Sequence, residues 1–460
     1  MITSTAFCAK RYAVLGLARS GLATAEALVA SGAEVIAWDQ GEEARARLPA
    51  GASLADPLEM DLTGFAGVVV SPGVPINTHP IADHALRFGV PLIGDIELFA
   101  QARADLPAHR VAAITGTNGK STTTALLHHI LVNAGIPAQM GGNIGLPILD
   151  QEPLVPNDNG SGVYVLELSS YQIDLTHSLA CDVAALLNIT PDHLDRYDSF
   201  DHYASSKGRL FAMQRADQMA VFGASDAPTR AVMQAQQARR PQGRAIAIDC
   251  AAIGSWQADW PCLQGPHNLE NAAAAAAMAE ELGVTQAQWR AALASFTGLP
   301  HRMERIGEYD AIMFINDSKA TNPASSAPAL AAFPPVQRPR IHWIVGGLAK
   351  EDGLGECEPY LGNVAAAYTI GDAGPRFAAL LGGTVPVQQC GLLSDAVQRA
   401  IAAARPGDVV LLSPACASFD QFADFEKRGD CFRDLVAELA ETKAGAKDAA
   451  NVHGIGNSAA

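Results

Sequence analysis

From Arg11 the chain alternates between two periodicities. An apolar run, Tyr12 to Leu15, leads into a glycine turn, then a helical segment from Ser20 to Ala30, then a second apolar run from Glu34 to Trp38 that ends at Asp39. A short buried-type strand, a turn, a helix and a second strand together spell a βαβ unit. Further apolar runs, Val68 to Val70 and Val90 to Ile93, extend a parallel sheet until the polar, proline-containing stretch Arg103 to His109, which reads as a linker.

The same pattern restarts twice. A strand at Val111 to Ile114 runs into a glycine-rich turn and a helix from Lys120 to Asn133. Later strands follow at Val163 to Leu166 and Val183 to Leu187, with an alanine-rich helix after Asn271. Thr297 to His301 has the composition of a second linker. Beyond it, strands at Ile312 to Ile315, Ile341 to Val345, Tyr368 to Ile370 and Val409 to Leu412 alternate with helical stretches. The pattern predicts an α/β protein of three domains: Rossmann-like over 1–106, a P-loop ATPase-like sheet over 107–299, and Rossmann-like again over 300–442. A small, polar tail over 443–460 is expected to be disordered.

Composition narrows the partners more than the fold. The 460 residues are 49% hydrophobic and 17% charged, as in ordinary globular chains. A net charge of -16 excludes the diffuse basic face of a nucleic-acid binder, so any phosphate must be gripped locally. The 8 cysteines are dispersed without a CxxC pair, which fits reduced thiols in a cytoplasm. No run reaches the ~18 apolar residues of a membrane span, and Met1 to Lys10 lack a signal-peptide core. The run Ala272 to Ala277 is a close-packed helix face. A cytoplasmic monomer is expected.

The strongest chemical signal is Thr115-Gly116-Thr117-Asn118-Gly119-Lys120-Ser121-Thr122, set between a strand and a helix. Glycines let the backbone wrap an anion, the helix N-terminus faces the phosphates, Lys120 adds charge, and Ser121 or Thr122 can ligate Mg²⁺. The loop departs from GxxxxGK[ST], because the first glycine of that pattern falls on Ile114. A weaker signal is Gly16-Leu17-Ala18-Arg19-Ser20-Gly21, with Asp39 closing the next strand. It resembles a dinucleotide fingerprint in which Ala18 replaces a glycine, so a related nucleotide diphosphate suits it better than NAD. Glu167, after a buried strand, stands where a Mg²⁺-binding carboxylate belongs. His193 lies in the dense polar run Asn188 to Tyr197.

Eight segments in order resemble the Mur ligases, ATP-dependent enzymes that form amide bonds. They are TGTNGKST, GGNIGLP (Gly141 to Pro147), ELSS, NITPDHLDRY, GPHNLENA (Gly265 to Ala272), GLPHR (Gly298 to Arg302), NDSKATN (Asn316 to Asn322) and SPACASFDQF (Ser413 to Phe422). They run through the second and third expected domains, and the last two look most like the D-glutamate-adding member. The resemblance implies that Lys207, which the sequence alone assigns to the surface, matches a carbamylated lysine serving as a Mg²⁺ ligand beside Ser121, Glu167 and His193. Asn268, Asn271, Arg302 and Asp317 match nucleotide-holding positions, together with Gly116 to Thr122. Asn143 and His193 match positions near the reacting end of the substrate and the second metal. Lys319, Thr321, Lys350, Ser418, Phe419 and Phe425 match the amino-acid or interdomain site. Ser20, Asp39, Gln40, Ser71 and Gly73 are candidates for uridine diphosphate contact.

What the resemblance implies about activity is an ATP- and Mg²⁺-dependent ligase, with two metal ions, joining D-glutamate to UDP-N-acetylmuramoyl-L-alanine through an acyl phosphate. Two sibling readings fit less well. In folylpolyglutamate synthase the phosphate loop lies near the N-terminus, whereas here a βαβ domain precedes it, and the Asp-Asn-Pro-Arg motif of the diaminopimelate-adding ligase is absent. A nicotinamide-dependent oxidoreductase built on the Gly16 turn leaves the Lys120 loop unexplained.

Overall fold

The computed structural model describes residues 1–192, 196–350 and 352–438; the expected tail over 443–460 lies outside them. The chain divides into two compact units, one covering Met1–Phe296 and the other beginning at Thr297.

The first unit carries two parallel sheets. Strands β1 (Arg11–Leu15), β2 (Glu34–Trp38), β3 (Ala52–Leu54), β4 (Phe65–Val70) and β5 (Leu92–Ile93) are ordered β3-β2-β1-β4-β5. Alternation along β1 explains why Tyr12 to Leu15 are buried without a polar face. Tyr12 and Val14 enter one hydrophobic cluster, while Ala13 and Leu15 enter another on the opposite side. The second sheet has β6 (His109–Thr115), β7 (Ala138–Gly142), β8 (Gly162–Glu167), β9 (Val183–Leu186), β10 (Met219–Phe222) and β11 (Ala245–Ala247), ordered β11-β10-β9-β6-β8-β7.

The second unit is built on β12 (Glu304–Tyr309), β13 (Ile312–Asn316), β14 (Ile341–Gly346), β15 (Val364–Ile370), β16 (Val387–Gly391) and β17 (Val409–Leu412), ordered β12-β13-β17-β14-β15-β16. Only β12 runs antiparallel, joined to β13 by a hairpin whose two loop residues, Asp310 and Ala311, have φ of 51° and 59°. Paired left-handed residues give the turn a twist that matches its strands.

Two sequence expectations shift. The polar stretch read as a linker from Arg103 to His109 shortens, because β6 already begins at His109, whose backbone pairs with β8. The alanine-rich helix starts at Pro266, not after Asn271. Proline at the first helical position needs no N–H partner, so the helix opens five residues earlier and Asn268 and Asn271 both lie on it.

Candidate active site

Strand β6 lies between β9 and β8; the connection leaving β6 passes β8 to reach β7, whereas the one leaving β8 crosses β6 to reach β9, so the carboxyl ends of β6 and β8 open a crevice of the kind that receives ligands in parallel sheets. The phosphate loop fills that end. Gly119 sits just before the helix Lys120–Asn133 with φ of 82°, and a Cβ there would collide with the Asn271 amide oxygen. Glycine is therefore required both by conformation and by space. Gly116 lies close to the backbone of Asn188.

Residues after β9 brace the loop from the other side. The Asn118 N–H donates to the Asn188 side-chain oxygen at 2.8 Å, and the Thr117 N–H donates to the Asn188 carbonyl at 2.9 Å. The Thr117 hydroxyl meets the Tyr203 hydroxyl at 3.0 Å and accepts from the Thr190 N–H at 3.0 Å. On the helix side, Thr123 donates to Asn271 at 3.2 Å, and Asn271 donates to Asn268 at 3.4 Å. The expected nucleotide residues of this unit thus form one connected framework. Ser121, a candidate metal ligand, is buried at the start of the same helix, and Thr122 follows it.

Two lysines converge on one carbonyl. Lys120 Nζ donates to Gly116 O at 2.9 Å and to Thr117 O at 2.7 Å, and Lys207 Nζ donates to Gly116 O at 3.0 Å. The sequence alone placed Lys207 on the surface; here it is 2% exposed, on the helix Phe200–Ala212, with Nζ 4.6 Å from the Tyr203 ring centroid. The helix is anchored there by Ser206, whose hydroxyl donates to Ser170 O, and by Tyr197, whose hydroxyl donates to Asp174 at 2.7 Å. Burial, and secondly the Lys120 charge, push the Lys207 amine down to about 7.

Glu167 ends β8 on the other flank of the loop and is 2% exposed, not solvated. One of its oxygens accepts from the Asn143 side chain at 2.9 Å; the other, buried, has no hydrogen-bond partner. A buried carboxylate oxygen without a donor is costly unless a cation meets it, so the donor set suits Mg²⁺. Among the described residues no three His, Cys, Asp or Glu side chains gather as a metal cluster, and His193 lies outside the described residues.

The candidates in the first sheet knit its strand ends together. Asp39 accepts from the Leu17 N–H at 2.7 Å and from the Gly41 N–H at 2.8 Å, and Ser71 donates to Gly16 O at 2.8 Å. Ser20 lies in the first turn of the helix Arg19–Ala30, while the Gln40 carbonyl accepts from Arg45 at 2.9 Å. Gly73 is exposed in the loop after β4.

In the second unit, Asp317 follows β13 and is buried. It accepts from the Met303 N–H at 3.1 Å and the Ser413 hydroxyl at 2.7 Å, and desolvation pushes it up to about 7. Arg302 lies between His301 and Met303, whose φ values are 61° and 46°, and its buried Nε has no partner. Lys319 Nζ lies 5.2 Å from the Phe425 ring centroid, and Lys350 Nζ donates to the Thr321 hydroxyl at 3.1 Å. Ser418 is buried, in a loop held through the carbonyls of Cys416 and Ala417 by Arg428. Phe419 faces solvent, 69% exposed.

Sequence reasoning assigned no role to Asn188, Thr190, Tyr203 or Arg428. The first two were visible as polar residues directly after a buried strand. Tyr203 and Arg428 carry no local signal, since their partners are between 11 and 110 residues away.

Comparison with known proteins accounts for this arrangement. Residues 114–259 match the Mur ligase middle domain, and residues 301–416 match the domain described as Mur ligase, glutamate ligase domain. UDP-N-acetylmuramoylalanine--D-glutamate ligase of Novosphingobium aromaticivorans is 64% identical, over 96% of this chain and 98% of that one. The protein of the same name from Sphingopyxis alaskensis is 58% identical, over 95% and 100%. Among solved structures, the MurF ligase of Thermotoga maritima in complex with ADP aligns with a TM-score of 0.56 at 17% identity, covering 95% of this chain and 97% of that one. The UDP-N-acetylmuramate-alanine ligase MurC of the same organism aligns at 0.55 and 18%, covering 94% and 99%. At such identities these two share the fold. The chain belongs to the Mur ligase family.

Proposed function

We propose that the chain joins D-glutamate to UDP-N-acetylmuramoyl-L-alanine at the expense of ATP, as a cytoplasmic monomer working with two Mg²⁺ ions. The observation that carries the ATP half is the phosphate loop with Lys120 at its helix start, flanked by the orphaned oxygen of Glu167. The D-glutamate half rests on relatives that carry that specificity in their names at up to 64% identity. No described helix is long and apolar enough to cross a membrane, which suits a water-borne sugar nucleotide.

A carboxylate is a poor acyl donor because its leaving group is oxide. In the proposed reaction a substrate carboxylate oxygen attacks the γ-phosphorus, the bond to the β,γ-bridging oxygen breaks, and ADP leaves. The glutamate amine then adds to the acyl carbon and loses a proton, and phosphate departs with the electron pair of the C–O bond. Lys120 and the loop N–H groups stabilise charge on the transferring phosphoryl group, while Asn143 and Glu167 flank the reacting carboxylate. Mg²⁺, held by Ser121, Glu167, His193 and Lys207, would neutralise phosphate charge. Asn268, Asn271, Arg302 and Asp317 are assigned to the nucleotide. Lys319, Thr321, Lys350, Ser418, Phe419 and Phe425 are assigned to the amino acid, whose two carboxylates call for cations and hydroxyl donors.

Lys207 takes part as a carbamate. At pH 7.5 an ordinary lysine is neutral in roughly one part in a thousand, whereas an amine near 7 is mostly neutral. Its lone pair attacks CO₂, an N–H proton goes to water, and a buried neutral amine becomes an anion suited to a metal. Removing bicarbonate and CO₂ should therefore lower turnover, and Lys207→Ala should be nearly inactive and partly restored by acetate. Full activity in CO₂-free buffer, with no carbamate signal from ¹³CO₂ in the NMR spectrum, would refute the assignment.

The overall reading is tested by phosphate release with UDP-N-acetylmuramoyl-L-alanine and a panel of amino acids. Release only with D-glutamate is expected; release with L-glutamate or alanine alone would overturn the specificity.

A further inference from the structure

Arg196 reaches from the central sheet's loop to the first sheet's. Its Nη1 donates to the carbonyl of Gly73 at 3.4 Å, and its Nη2 donates to those of Pro72 at 3.2 Å and Val74 at 3.1 Å. The guanidinium carbon lies 4.3 Å from the Tyr171 ring centroid, and Tyr171 in turn stacks on Tyr197 with an interplanar angle of 14°. Three consecutive carbonyls thus turn toward one planar cation held at a fixed tilt.

The consequence lies on the other face of the loop. No peptide among the described residues is cis, so each N–H points away from the carbonyl of the same peptide. When the Pro72 carbonyl faces Arg196, the Gly73 N–H faces the opposite side. The Val74 N–H closes a turn on Ser71 O at 3.0 Å, leaving the Gly73 N–H as the outward donor. Gly73 itself needs no left-handed backbone, and a Cβ built on it would meet nothing within 4 Å. What glycine supplies there is neither conformation nor packing room. It supplies a backbone that a ligand can approach closely, and a guanidinium on the carbonyl side polarises that amide as a donor.

We propose that Arg196 is a positioning residue for the sugar-nucleotide substrate: it never touches the ligand, but orients and polarises the Gly73 N–H toward the substrate's diphosphate. This deepens the reading of the first sheet as the nucleotide-sugar site and rests on it. Arg196 also ties that site to the segment whose Asn188 and Thr190 brace the phosphate loop.

The test uses the full-length enzyme and calorimetric titration with UDP, uridine and ATP. For Arg196→Met, which keeps the apolar stem, UDP affinity is expected to fall about tenfold, as for loss of one charge-assisted hydrogen bond. Uridine and ATP affinities should stay within about twofold of wild type. Arg196→Lys, able to hold one carbonyl at a time, should recover part of the loss. Gly73→Ala, which shields the N–H without straining the backbone, should reproduce the selective effect on UDP. Equal weakening of uridine and UDP, or of ATP and UDP, would assign Arg196 to general scaffolding and overturn the inference. So would unchanged UDP binding in Arg196→Met while wild type binds. Failure of the wild-type enzyme to bind UDP would instead overturn the site reading itself. Thermal midpoints of both Arg196 variants identify any loss due to misfolding, and Gly73→Ala then decides alone.

Discussion

Lys120 donates to two carbonyls of its own loop, Gly116 and Thr117, so its ammonium is already fixed at the mouth of the phosphate cradle. Such preorganisation lets a charge act on the transferring phosphoryl group without reorganisation cost. Lys120→Ala is expected to lower turnover by at least about 10²–10³-fold with the thermal midpoint nearly unchanged; near-normal phosphate release from the folded variant would remove Lys120 from the chemistry. Asp317 makes a different prediction, about stability. Its carboxyl is raised from 3.8 to about 7 in the folded chain, so the folded state holds a proton that the unfolded state has released. Stability from this group is therefore complete below pH 4 and falls as pH rises from about 4 to 7. Asp317→Asn can still accept from the Met303 N–H without carrying charge. It should stabilise the C-terminal unit more at pH 8 than at pH 5, by a difference on the order of 2–3 kcal/mol. Equal effects at the two pH values would show that the folded carboxyl is not perturbed.

Among elements, the phosphate-loop helix was legible to the residue, Lys120 to Asn133, because a glycine before Lys-Ser-Thr marks its start and Gly135 its end. Strands β1, β2 and β4 were legible because both faces are buried and their residues are almost wholly apolar. The two edge strands of the C-terminal unit were not. Residues 387–391 (Val-Gln-Gln-Cys-Gly) and 304–309 (Glu-Arg-Ile-Gly-Glu-Tyr) are half polar, because an edge strand is only partly covered, so neither reads as an apolar run. Lys207 was illegible for a related reason: the helix surface Ser205-Ser206-Lys207-Gly208-Arg209 is polar, and only tertiary packing against Ser170 and Tyr203 buries its lysine. The junction between the loop and the alanine-rich helix is testable. Gly119→Ala places a methyl against the Asn271 amide in a left-handed backbone, so ATP affinity should fall at least about tenfold, with a stability loss of about 1–3 kcal/mol. Gly119→Ala combined with Asn271→Ala should recover part of the stability, because the collision is then gone. No recovery would locate the requirement in the backbone conformation alone.

At the scale of the molecule, one hydrophobic cluster in the first unit takes in Ile2, Val14 and Phe99 around the first sheet and Val111, Leu166 and Phe222 of the second. Backbone bonds reinforce this: Ile2 N–H donates to Leu149 O, and Gly94 N–H to Leu175 O. Glu97 adds three bonds from His177 and Ser178. Two sheets that share a core have no separate states in which one is folded and the other exposed, so residues 1–296 should melt as one cooperative transition. The clusters of the C-terminal unit are drawn instead from Ile312 to Val436. Differential scanning calorimetry is therefore expected to resolve two transitions. Saturating UDP and Mg²⁺-ADP, added separately, should each raise the same transition by a few degrees, since a ligand at about 100 times its Kd contributes about 2.7 kcal/mol. Asp317→Asn at pH 8 should move only the other. If UDP and ADP shifted different transitions, the two parallel sheets would be independent folding units and the shared core would not couple them.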